Sequence, residues 1–174
     1  MEIKREGLEK KFYDMCLECV QAQEYKLYDL EYIKGQKLLR LYIMDPKTGS
    51  AVLDDCIKVD RSLTPYFEEN TWIPEDVVLE VSSPGVYKKL RCYEHFNNCL
   101  NERIKVKFRG EIEGVESKVL KKISSANSVC GDLKSLEKND ESFFLNIEVR
   151  HKKESYQLKI DSKNIVKAQC EPEF

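Results

Sequence analysis

The sequence predicts an α+β protein of two units, a three-stranded sheet covered on one face by two helices and then a small β-barrel. Up to Val81 the apolar spacing reads helix, strand, strand, helix, strand. From Ile104 onward the pattern alternates residue by residue, as short half-buried strands do. A length of 174 residues suits two compact domains better than one small one. The hydrophobic fraction of 41% is enough to fill both cores.

Residues 6–23 set Leu8, Phe12, Met15, Cys16, Cys19 and Val20 at three- and four-residue spacing, one apolar stripe of a helix. Tyr25 to Ile33 alternates, with Tyr28, Leu30 and Tyr32 on one side and Asp29 and Glu31 on the other. Gly35 marks a turn, and Leu39, Leu41 and Ile43 share one face of the returning strand. Asp45-Pro46-Lys47-Thr48-Gly49 is a loop by its turn chemistry. A second helix runs from about Asp54 to Phe67, with Cys56, Val59, Leu63 and Phe67 on its apolar side. Asp54 and Asp55 fall in its first turn, where the helix dipole favours negative charge. Val77 to Val81 is the third strand.

Tyr93 to Leu100 reads as a short helical connector, which sets domains at 1–92 and 102–174 with a link at 93–101. Beyond it, Ile104, Val106 and Phe108 alternate with Lys105, Lys107 and Arg109. Phe143 to Val149 and Tyr156 to Ile160 alternate in the same way, and Val129 to Leu136 and Ile165 to Ala168 are weaker strands. Five short strands with polar turns suggest a barrel, since closure removes exposed edges. Residues 110–128, with Gly110, Gly114 and a Ser/Asn cluster, read as a long mobile loop in which Val119 to Ile123 adds a little strand.

The formal charge is −2, from 29 basic and 31 acidic residues, and neither half is a polybasic arm. Any RNA contact must then be a local patch rather than a global field. No apolar run reaches the length of a membrane span, and Met1-Glu2-Ile3-Lys4-Arg5-Glu6 has no apolar signal core, so a cytoplasmic protein is expected. Seven scattered cysteines fit free thiols acting as small hydrophobes. No P-loop, Gly-rich dinucleotide fingerprint or nucleophile motif is present, so no enzyme and no cofactor is expected.

Val78-Leu79-Glu80-Val81-Ser82-Ser83-Pro84-Gly85 is the most informative stretch. A strand ends in a turn where Pro84 fixes one backbone angle and Gly85 supplies a positive φ. Lys88, Lys89 and Arg91 follow at once. No acid, base or nucleophile accompanies them, which suits docking on a large anion rather than catalysis.

Leu27-Tyr28-Asp29-Leu30-Glu31-Tyr32, Leu53-Asp54-Asp55-Cys56 continued by Asp60-Arg61-Ser62-Leu63, and Glu80-Val81-Ser82-Ser83-Pro84-Gly85 stand in this order along the chain. With them the chain resembles the bacterial ribosome maturation factor family RimP. Weaker matches are Gly131-Asp132-Leu133, Ile165-Val166-Lys167-Ala168 and the closing Glu171-Pro172-Glu173-Phe174. The resemblance implies a KH-like N-terminal domain, an SH3- or Sm-like C-terminal barrel, and a non-enzymatic cytoplasmic factor. The implied partner is the immature small (30S) ribosomal subunit, touched through ribosomal RNA and a basic ribosomal protein. Where the family favours Arg-Pro-Leu this chain has Lys88-Lys89-Leu90, which keeps the charge and loses the planar fork. The GxxG loop by which many KH domains clamp a nucleic-acid backbone is absent.

With the family in view, Ser82, Ser83, Pro84, Gly85, Lys88, Lys89 and Arg91 become the expected RNA- and ribosome-binding residues, contacting phosphate without reading sequence. Glu111, Glu113 and Glu116 are the candidate contacts to a basic ribosomal protein, set against the plainer reading of a solvated loop. Cys16 and Cys19 form a CxxC, but both lie on the apolar stripe of the first helix, which favours packing over redox chemistry. Cys92, His95 and Cys99 have zinc-like spacing without a fourth ligand nearby, and no metal is expected. A general RNA-binding regulator of translation is the alternative function. A monomer satisfies every feature of the sequence.

Overall fold

The computed structural model describes residues 3–173, so Phe174 of the closing motif and Met1 and Glu2 of the N-terminal stretch lie outside it. The chain forms two compact units. One is Lys4–Gly85, and the other begins at Val86 and takes in the rest of the described chain. The division falls earlier than the 92 expected from sequence, because Leu90, Phe96 and Cys99 pack into the second core. Residues 93–101 are thus built into the second unit instead of linking two others.

The first unit contains α1 (Gly7–Ala22), β1 (Lys26–Ile33), β2 (Leu38–Met44), α2 (Leu53–Glu69) and β3 (Val78–Ser82). β2 is central, antiparallel to β1 and parallel to β3. Parallel pairing requires a long crossover, and α2 supplies it. The predicted stripes meet in one core of Phe12, Cys16, Cys19 and Val20 from α1, Leu39, Leu41 and Ile43 from β2, and Cys56, Val59 and Leu63 from α2. Each large aliphatic side chain sealed from water there contributes about 2 kcal/mol.

β1 departs from simple alternation. A bulge between Leu27 and Asp29 shifts its register, so Leu27, Tyr28, Asp29 and Leu30 are all buried in a row. Asp29, expected to face solvent, is only 2% exposed. Arg5 Nη2 donates to it at 2.7 Å. A buried carboxylate needs such a partner, and Arg5 provides the charge.

At the start of α2, Asp55 accepts from the Val52 amide at 2.9 Å and from the Tyr25 hydroxyl at 2.6 Å. The Tyr25 hydrogen bond, then the Val52 amide, hold its carboxyl below the usual 3.8. A depressed folded-state value stabilises the fold above the unfolded value and is lost as pH falls through the folded one. Asp55→Asn is therefore expected to flatten the loss of stability below about pH 4. Urea midpoints at several acidic pH values check this, and parallel curves for variant and wild type would refute it.

The second unit contains α3 (Tyr93–Asn97), β4 (Arg103–Phe108), α4 (Ser117–Ile123), β5 (Ser128–Lys138), β6 (Phe143–His151), β7 (Glu154–Asp161) and β8 (Ile165–Cys170). The strands form one antiparallel sheet in the order β7-β6-β5-β4-β8. Among the described residues no ladder joins β7 to β8, so the pairing does not close a barrel. Ile104, Val106, Val129, Leu133, Leu145, Ile147, Leu158 and Ile160 all point to one face and are buried.

Both outer strands carry short backbone neighbours. Along β8, Leu90 donates to the Ala168 carbonyl and Cys170 to the Lys88 carbonyl, each at 2.9 Å. Along β7, Glu113 and Lys159 exchange backbone bonds at 3.1 and 2.9 Å. The 110–128 segment is not the structureless loop its composition suggests. Gly114 (φ +97°) brings the chain against β7, and α4 replaces the expected strand, setting Leu120 and Ile123 against the core. Among the described residues no helix is long and apolar enough to cross a membrane.

Candidate nucleic-acid interface

The Ser82-Ser83-Pro84-Gly85 turn is held by its own side chains. Ser83 Oγ accepts from the Gly85 amide at 3.2 Å and lies 3.4 Å from Ser50 Oγ. Gly85 takes φ +72° and is exposed. The turn closes the first unit, and the cationic residues open the second.

Lys88, Lys89 and Arg91 do not act as one cluster. Residues 88–90 run as a strand along β8, so neighbours point to opposite sides. Lys89 is exposed and pairs with Gln169, whereas Lys88 is half-buried with its charge near Cys99 and Cys170. Arg91 is half-buried, and its amide donates to Nδ1 of the buried His95 at 3.2 Å. Glu111 and Glu113 are exposed on either side of the buried Ile112, and Glu116 precedes α4.

The sheet places further lysines beside Lys89 that sequence reasoning did not single out. Gln169, the partner of Lys89, also pairs with Lys105 of β4. One step along, Lys107 stands directly opposite Lys167 of β8. Lys105, Lys107 and Lys167 are exposed and line a depression of about 290 Å³ with Ser128 and Gln169. A like-charge pair directly across a ladder is destabilising.

Several other cations of this unit meet carboxylates. Lys134 meets Asp132 and Glu148 at 3.3 and 3.4 Å, Lys159 meets Glu137 at 2.5 Å, Lys163 meets Glu141 at 2.7 Å, and Arg103 bonds Glu173. Among the described residues no carboxylate pairs with Lys105, Lys107 or Lys167. Lys105, Lys107 and Lys167 thus form a group of uncompensated positive charges on the β4–β8 side. Three exposed ammonium groups on a rigid sheet can each contact a backbone phosphate.

The other sequence candidates resolve differently. Cys16 and Cys19 are buried, and burial followed by the neighbouring Cys19 pushes the Cys16 thiol up to about 12. That is the opposite of an activated thiol. Cys92, His95 and Cys99 do not converge: α3 ends at Asn97, and Cys99 turns to Cys170 instead.

Residues 15–87 match the family model described as the RimP N-terminal domain. The match supports a RimP-type N-terminal domain over these residues. The match spans α1 from Met15, all three strands and α2, and it ends two residues beyond the Ser-Pro-Gly turn. The RimP motif at Leu27–Tyr32 holds the buried Asp29, and the one at Leu53–Cys56 holds Asp55, so both fall on polar anchors of the first unit.

Proposed function

We propose that this chain is a ribosome maturation factor of the RimP type, a cytoplasmic, non-catalytic protein that binds the immature small (30S) ribosomal subunit and assists its assembly. The RimP N-terminal domain at 15–87 carries this reading. Supporting it is the unpaired Lys105, Lys107 and Lys167 group, a surface suited to ribosomal RNA phosphates. In this reading the first unit is a KH-like domain and the second a small SH3- or Sm-like barrel. A single apolar face and backbone cover on both outer strands favour a sheet that curls over its own core. The Ser82–Gly85 turn with Lys88, Lys89 and Arg91 contacts the subunit, and Glu111, Glu113 and Glu116 face a basic ribosomal protein. The factor acts as a monomer and leaves when the particle matures.

Gradient profiles of ribosomal particles with and without the protein test the proposal. Its loss should enlarge the immature small-subunit peak, and added protein should travel with that peak. Tight binding to short free RNA with no association to the subunit would instead identify a general RNA-binding regulator. Changing Lys88, Lys89 and Arg91 together to Glu is expected to weaken co-sedimentation and lower its salt dependence. Unchanged binding at every salt concentration would remove these three residues from the interface.

A further inference from the structure

The structure joins two cysteines that lie 71 positions apart in the chain. Cys99, just after α3, and Cys170, the last residue of β8, place their Sγ atoms 3.1 Å apart. Both are nearly sealed from solvent, at 4% and 3% exposure. Two charged groups flank them. Glu102, on the exposed turn before β4, has Oε2 at 3.8 Å from Cys170 Sγ. Lys88 lies on the neighbouring backbone, its carbonyl accepting from the Cys170 amide, and its ammonium favours thiolate at both cysteines. The hydrogen bond shared by the two sulfurs holds the Cys170 thiol below the ordinary cysteine value and raises Cys99.

Two sulfurs at this distance suit either a covalent bond or a shared metal. On one zinc ion, two thiolates bound at about 2.3 Å would stand roughly 3.8 Å apart, wider than found here. Among the described residues only Cys99, Glu102 and Cys170 offer donor atoms, and the nearby Lys88 repels a cation. A disulfide needs the sulfurs to close to about 2.05 Å, an inward movement of roughly 1 Å.

We propose that Cys99 and Cys170 form an oxidisable pair, which hydrogen peroxide converts into a disulfide. The Cys170 thiolate attacks one peroxide oxygen, the O–O bond breaks, and hydroxide leaves with a proton as water. The resulting sulfenic acid is attacked at sulfur by Cys99, and the second oxygen departs as water. The balance is two thiols and one peroxide to one disulfide and two waters, and a dithiol reductant reverses it. The bond ties the end of β8 to the turn after α3, across the β4 strand that carries Lys105 and Lys107.

The test treats the full-length reduced chain with hydrogen peroxide, then denatures and alkylates it for intact-mass and peptide analysis. The reduced chain takes seven labels, one for each cysteine, and the oxidised chain is expected to take five, with a Cys99–Cys170 cross-linked peptide that dithiothreitol removes. Cys99→Ser, with six cysteines left, should form no cross-link and lose only the Cys170 label, to a sulfenic acid that dithiothreitol returns to the thiol. The wild-type peptide map alone decides the matter if that variant fails to fold. Seven labels retained after peroxide, a cross-link at Cys16–Cys19, sulfinic acid without a cross-link, or zinc co-purifying with both thiols shielded would each overturn the proposal.

Discussion

Gly131→Val is expected to unfold the five-stranded sheet, and Gly131→Ala to weaken it by about 3 kcal/mol, the upper end for overpacking. A Cβ on this glycine would sit 2.4 Å from the Glu148 carbonyl oxygen and 2.9 Å from methyl groups of Ile147 and Val149. The first obstacle is backbone on a central strand, which rotamer changes cannot move. β5 would have to part from β6, its partner from Asp132 to Lys138. For a unit of this size the alanine loss corresponds to a fall in melting temperature on the order of 15 °C. Gly35→Ala is the control, since a Cβ there meets nothing within 4 Å. Thermal unfolding of the two variants should separate them clearly. A Gly131→Ala protein as stable as wild type would mean that the two strands are not locked at this separation.

Reversing Lys105, Lys107 and Lys167 to Glu is the second large effect. Each lysine is assigned one phosphate, so the slope of log affinity against log salt should become shallower by roughly 2–3. Association with the small subunit near physiological salt should fall about 100-fold, in keeping with three lost phosphate contacts. The matched control reverses Lys134, Lys159 and Lys163, which already meet carboxylates, and should change binding far less. Lys167→Glu alone has an opposite effect on the fold. It turns the repulsion with Lys107 into attraction and should add about 0.5 kcal/mol of stability while weakening binding. Equal losses from the test and control triples would show a diffuse charge effect and no local site.

Periodic features were legible in the amino-acid order, whereas pairings between distant residues were not. The stripe from Phe12 to Val20 and the Leu39, Leu41 and Ile43 face follow from spacing alone, and both form core. The outward lysines of β4 were also visible, because Ile104, Val106 and Phe108 alternate with them. What alternation cannot supply is register. That Lys107 meets Lys167, and that Cys99 meets Cys170, depends on how β8 is laid beside β4. The burial of Asp29 escaped for a related reason, since one bulge moves an apparently outward residue inward. α4 escaped because seven residues give too few turns for an apolar stripe to stand out.

The backbone cover along β8 and β7 has a consequence for how this molecule meets others. A bare outer strand invites a foreign segment to join the sheet through main-chain bonding, which gives strong and sequence-tolerant attachment. Here those positions at Ala168, Cys170 and Lys159 are already taken by the chain itself. At those positions any recognition through this sheet is left to the side chains of its outward face, where, under the proposed function, competing ions would loosen the hold.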